Sequence, residues 1–175
     1  LAEAWQSRRA YPLVVTQGDG NLGVKGKNFE MLFSIAGAGP ASLKVNGTEW
    51  LWRAPRPAFW RASTDNDRGC GFPLRAAAWM AADVFVTYNG MKVLEAGPDC
   101  VKVQFQFGIP TVPGASAELV YTVEAQGALR VDAVYHGVAG APELPCFGVK
   151  FETFGPVTRT VWTGLSGETY PDRYK

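Results

Sequence analysis

Apolar and polar residues alternate with a period of two along most of this chain, the spacing of a half-buried strand. Phe29, Met31, Phe33 and Ile35 share one face, and Val101, Val103, Phe105 and Phe107 alternate with Lys102, Gln104 and Gln106. Leu119, Tyr121 and Val123 alternate in the same way with Val120, Thr122 and Glu124, and Gln126-Gly127 then predicts a turn into a further strand. Residues 117–136 therefore read as an antiparallel hairpin. Val14 and Val15 lead into the turn cluster Gly18-Asp19-Gly20-Asn21. Asn46-Gly47 readily takes the positive φ angles of a type I′ turn and predicts a hairpin between 42–45 and 49–52; Asn89-Gly90 predicts another between 84–88 and 91–94. One stretch breaks the period: Pro73 suits the start of a helix, and Ala76, Ala77, Ala78, Ala81 and Ala82 with Trp79 and Met80 predict a short one near 74–83. Strands at this spacing predict an all-β antiparallel sandwich, taken as one domain over 1–175.

Composition narrows the picture. The 175 residues are 47% hydrophobic and 13% aromatic, enough to fill a sizeable core. A net charge of +1 without a dense run of one sign gives no electrostatic footprint for nucleic acid or an anionic membrane. No stretch approaches the length of an apolar span, and the first ten residues hold no signal-like core. Cys70, Cys100 and Cys146 are odd in number and at no metal-like spacing, so they read as reduced thiols of a cytoplasmic protein. Leu1 in place of Met hints at a chain cut from something longer.

Candidate chemistry concentrates between Arg56 and Asp83. Phe59, Trp60 and Arg61 place two large aromatics beside a cation, and Asp65-Asn66-Asp67-Arg68-Gly69 packs three charges and an amide into five residues. As a glycosidase dyad the turn fails, because two carboxylates in one turn do not flank a glycosidic bond from both sides. As a calcium loop it is incomplete: Arg68 fills the glycine position and no Glu closes it. The plain reading is a turn in which Asp and Asn bond their own backbone and Arg68 pairs with a carboxylate. Adjacent strand residues face opposite ways, so one of Phe59 and Trp60 meets the core while the other is open to a sugar or a partner. Trp50 and Trp52, alternating on a strand, read as core. Gly69-Cys70-Gly71 hinges the loop ahead of the helix.

Elsewhere the chain offers little catalysis. His136 is the only histidine, at a strand end, and reads as structural; no nucleophile elbow, phosphate loop or metalloprotease helix is present. Near the end, Glu168, Tyr170, Asp172 and Arg173 follow Gly164-Leu165-Ser166-Gly167 and read as an ion-paired loop that locks a strand end.

Together, Pro57-Ala58-Phe59-Trp60-Arg61-Ala62-Ser63-Thr64-Asp65-Asn66-Asp67-Arg68-Gly69 and Gly164-Leu165-Ser166-Gly167-Glu168-Thr169-Tyr170-Pro171-Asp172-Arg173 resemble the β-galactosidase small chain, the C-terminal domain of family 2 glycoside hydrolases or the small subunit of heterodimeric forms. Trp50, Pro145, Phe147-Gly148 and the 79–83 helix extend the likeness over nearly the whole chain. The resemblance implies a longer antiparallel super-sandwich similar to the galactose mutarotase fold, of which this is an N-terminal portion. It also implies that two catalytic glutamates lie on a TIM-barrel domain or large subunit, with no catalytic residue here. Mg2+ or Na+ in the family is bound by other domains, so no cofactor or metal is expected in this chain. The family's contribution from this part is a loop at the mouth of the β-galactoside site, which matches Gly69 to about Arg75 here; only its anchor, Asp65 to Gly69, and the Gly69 hinge are carried over. The alternative is a free-standing carbohydrate-binding sandwich. Mutarotase-like epimerisation, using His136 and a glutamate, is the weaker third. A truncated sandwich with an open edge also invites oligomers.

Overall fold

The computed structural model describes residues 11–155, 157–161 and 163. Its first sheet is a meander of β1 (Val14–Gln17), β2 (Asn21–Lys25), β3 (Phe29–Ser34), β4 (Gly39–Val45) and β5 (Thr48–Glu49), hydrogen-bonded in that order. A second antiparallel sheet has the order β10 (Leu129–His136), β9 (Ser116–Glu124), β8 (Cys100–Gly108), β7 (Thr87–Ala96). A third pairs β6 (Leu51–Ala58) with β11 (Gly148–Thr153). Three short helices, α1 (Asp65–Gly69), α2 (Phe72–Arg75) and α3 (Ala77–Phe85), fill the gap between β6 and β7.

The alternating pattern places the core. Leu22, Val24, Met31 and Phe33 of the first sheet are buried, as are Val101, Val103, Phe105, Phe107, Leu119, Tyr121 and Val123 of the second. The ring of Phe33 lies 6.2 Å from that of Phe105 and 5.8 Å from that of Tyr121, so the two inner faces meet as a sandwich. Register keeps the apolar set on one side: Phe105 faces Leu119, which faces Ala133 on the next strand. The hairpin predicted at 117–136 is present as β9 and β10. Asn46 and Gly47 take φ of 50° and 79° between β4 and β5, the turn that dipeptide favours.

Three expectations are corrected. Asn89-Gly90 makes no hairpin; 84–85 end a helix, and β7 runs straight through, pairing throughout with β8. The dipeptide serves instead as a bulge, with Asn89 left over between the Tyr88–Phe107 and Gly90–Gln106 pairs. Trp50 and Trp52 are not core, at 52% and 59% exposed. The chain changes sheet at that point, Leu51 takes the buried position between them, and Trp52 meets Phe154 edge-on at 4.9 Å. The helix expected near 74–83 is present as α3 at Ala77–Phe85 but is not the only one: α1 and α2 precede it, because Gly71 at φ 70° turns the chain between the first and second and Ala76 breaks the second from the third.

Glu49 fastens the change of sheet. Its carboxylate accepts hydrogen bonds from the backbone N–H groups of Leu43 at 2.9 Å, Leu51 at 3.0 Å and Trp50 at 3.1 Å, and from the Ser42 hydroxyl. Burial works to raise its pKa, but these four donors outweigh it and hold the carboxyl below its ordinary value.

Candidate functional site

The polar loop hangs from an aromatic anchor. Phe59, just past β6, is fully buried, with ring centroids 5.8 Å from Trp79 and 5.9 Å from Phe147. Tyr135 closes the cluster at 5.8 Å from Trp79, whose indole N–H donates to the Pro142 carbonyl at 3.0 Å. Of the adjacent aromatics it is thus Phe59 that enters the core, and its ring offers no face to a sugar or partner. Trp60 is half-buried and packs against the core's edge. The Phe59 backbone N–H donates to the Asp83 carboxylate at 2.6 Å, which ties the strand end to α3.

Beyond this anchor the loop is held by charge and hydrogen bonds. Arg61 grips Asp67 through two donors, at 2.6 and 3.2 Å, and also donates to the Ala62 carbonyl at 3.1 Å. Thr64 caps α1: its hydroxyl accepts from the Asp67 N–H at 3.2 Å, while the Asp67 carboxylate accepts from the Thr64 N–H at 2.8 Å. That reciprocal pair is a capping box, satisfying two donors that a helix start otherwise leaves open. Asp65 and Arg68 pair at 3.0 Å in solvent. The Cys70 N–H closes α1 on the Asn66 carbonyl at 3.1 Å, and Arg75 donates to the Cys70 carbonyl. Gly71 in a left-handed conformation then swings the chain into α2.

The electrostatics follow from these partners. The Arg61 guanidinium first, and then the Thr64 N–H, hold the Asp67 carboxyl well below the usual carboxylate range, and Asp67 in turn raises Arg61. Burial, followed by the Asp83 charge, pushes the Cys146 thiol up, with Arg61 opposing. Chemically, Asp67 is committed to a clamp and Asp65 to a surface ion pair, so neither is poised to move a proton to or from a sugar. His136 is half-exposed, 3.5 Å from Glu118. Among the described residues no group of three or more His, Cys, Asp or Glu converges to hold a metal. A cleft of about 420 Å³ beside Tyr11, Phe29 and Gln126 and one of about 360 Å³ on the outer face of the first sheet both lie away from the loop.

Sequence reasoning paired Arg68 with a carboxylate, and Asp65 is that partner. It missed the Arg61–Asp67 clamp and read α1 as a plain turn. The signal was present as Thr64-Asp65-Asn66-Asp67, a capping residue followed three positions later by a carboxylate. Asp83 carried no local signal, being 24 residues from the N–H it accepts. Glu168, Tyr170, Asp172 and Arg173 lie outside the described residues.

Comparison with known proteins gives the site a context. Residues 25–175 match the family described as Beta galactosidase small chain. A β-galactosidase small subunit of Latilactobacillus sakei is 44% identical over 180 residues, covering 92% of this chain and 57% of that subunit. β-Galactosidases of Clostridium acetobutylicum and Streptococcus thermophilus are 36% and 35% identical over 91% and 93% of this chain, which amounts to 18% and 16% of their own length. The chain thus spans a little over half of the small subunit and under a fifth of the two longer enzymes.

Proposed function

This chain belongs to the β-galactosidase small-chain family, and from that premise we propose that it is a noncatalytic part of a β-galactosidase, which hydrolyses terminal β-D-galactosyl residues such as that of lactose. In this reading residues 1–175 form part of one sandwich domain that packs on a TIM-barrel domain or large subunit. Two glutamates of that partner act as acid/base and nucleophile in a retaining hydrolysis. The segment from Gly69 to about Arg75 stands at the mouth of the site as a loop that opens and closes on its Gly69 hinge, with Asp65 to Gly69 as its anchor. Three free cysteines support a reducing, cytoplasmic location.

The observation that carries the reading is the Arg61–Asp67 clamp with its Thr64 cap. It fixes the base of an exposed polar loop to a rigid scaffold, the arrangement by which loops carry binding residues. Hydrolysis of a chromogenic β-galactoside by the chain alone, and then with a barrel-bearing large subunit from the same source, is the test. Activity only in the mixture supports the reading; activity from the chain alone overturns it.

A second reading, a free-standing sugar-binding module, is favoured by one feature, the exposed indoles of Trp50 and Trp52, which are of the type that stacks on pyranose rings. Saturable quenching of tryptophan fluorescence by galactose, with no partner present, would establish it.

A further inference from the structure

The helical segment next to the loop carries an apolar face that the sandwich does not use. Leu74 is 85% exposed, Val84 70%, Phe85 62% and Met80 53%. Met80 and Val84 stand four positions apart, one above the other on α3, and Ala77 and Ala81 continue the same strip. A surface helix ordinarily turns its charged residues to water. Here the only charged residue of α3 is Asp83, and its carboxylate is turned to the Phe59 N–H. Among the described residues of α3 no charge is therefore left to solvate the outward side, and the one charge of α2, Arg75, donates to the Cys70 carbonyl.

This strip is not surplus core. The inner side of the helix is already filled by fully buried Trp79 and Ala82, with Ala76 beside them, and the Trp79 N–H is paired with the Pro142 carbonyl. Two apolar faces on one nine-residue helix need two things to bury them. The sandwich supplies one.

We propose that the outward face of α2 and α3 is where the catalytic-carboxylate-bearing part of the β-galactosidase docks, through an apolar, uncharged patch of its own. The proposal rests on the reading above and names the surface that reading needs. Its occupant follows from size and position. In the Clostridium and Streptococcus relatives more than four-fifths of the polypeptide lies outside the matched segment, and the Latilactobacillus relative is named a subunit. The strip also adjoins α1 through Gly71, so a partner seated on it has the Asp65–Gly69 loop at its rim. An apolar centre with a polar margin is the usual anatomy of a protein interface.

The test uses the assembled enzyme of the same source. A photo-reactive benzoylphenylalanine placed at Val84 is expected to cross-link into the part that carries the catalytic carboxylates. Val84→Glu is expected to weaken assembly about tenfold or more, a hot-spot loss, without moving the unfolding midpoint of the small chain, since Val84 is mostly in water. Trp52→Glu, on the other exposed aromatic patch, serves as the control. Cross-links confined to this chain or to a second copy of it overturn the proposal, as does assembly that Val84→Glu leaves intact or that only Trp52→Glu breaks. If the unsubstituted assembly hydrolyses a β-galactoside while Val84 proves silent, the docking surface fails and the functional reading stands. An assembly inactive with every partner removes the reading and the docking surface with it.

Discussion

The backbone N–H of Phe59 and the carboxylate of Asp83 meet at 2.6 Å across 24 residues of chain, closing a loop that contains all of α1 and α2. The bond lets the end of β6 and the last turn of α3 hold one another, so the intervening segment starts and finishes at one place. Asp83→Ala leaves a partly buried N–H without its acceptor and is expected to cost about 1–3 kcal/mol. Asp83→Asn, which keeps an acceptor oxygen, should recover most of that. Urea unfolding of the three proteins reads the difference.

Within that loop the Arg61–Asp67 clamp sets geometry more than stability. Under the proposed function, with the loop beside the partner's reacting centre, Asp67→Ala is expected to lower kcat/KM of the assembled enzyme about tenfold or more, in line with the cost of small misplacements there. The unfolding midpoint of the chain should fall by a smaller measure, the part of the clamp's contribution that acid also removes. Asp65→Ala breaks only a solvent-exposed pair and should leave both quantities near their starting values. Parallel kinetics and thermal melts separate these outcomes.

Tryptophans of one chain divide sharply by position. Trp79→Ala removes a fully buried ring touching Phe59 and Tyr135 and is expected to cost about 3–5 kcal/mol. Trp50→Ala, at a position half in water, should cost less than about 1 kcal/mol. Denaturant midpoints of the two variants check the contrast.

Acid should loosen the chain in a defined direction. The carboxyls of Asp67 and Glu49 are both held below their ordinary values of 3.8 and 4.5. A group whose folded pKa is depressed stabilises the fold above its unfolded pKa, and that contribution is lost as pH falls through the folded one. Stability should therefore be flat from neutral pH down to about pH 5 and decline below it. Glu49→Gln and Asp67→Asn should each flatten the decline in a series of melts against pH.

Tyr121 presents the opposite case. Its ring is core, but its hydroxyl is buried with no hydrogen-bond partner among the described residues, and burial pushes its pKa up. Tyr121→Phe keeps the ring contacts with Phe33 and Phe105 and removes an unpaired polar atom. The variant is expected to match or exceed the parent by about 1 kcal/mol in unfolding free energy.

The sandwich was legible because its strands alternate cleanly: Val101 through Phe107 and Leu119 through Val123 announce one buried face each, and register does the rest. Trp50 and Trp52 misled because alternation tells which side a residue faces, not whether anything lies on that side. Asn89-Gly90 misled for a related reason. The same dipeptide serves a turn or a bulge, and the choice depends on whether both flanks pair with one distant strand, here β8. At the loop, Asp65 to Gly69 stood out by composition alone, whereas the bond from Phe59 to Asp83 exists only once the fold has brought its ends together.

α1 contributes no side chain to the core. Its order is therefore governed by ions in the solvent and the sandwich's by water's exclusion of apolar groups, and the two respond differently to salt. Raising ionic strength screens Arg61 from Asp67 and Arg68 from Asp65 while leaving the packing of Phe33 on Phe105 untouched. The amides of 64–70 should then exchange with deuterium at a rate set by salt, and those of β8 and β9 at a rate set by global unfolding. Salt can thus loosen the loop inside a molecule that stays folded, down to the hydrogen bonds of the Thr64 cap that it does not screen.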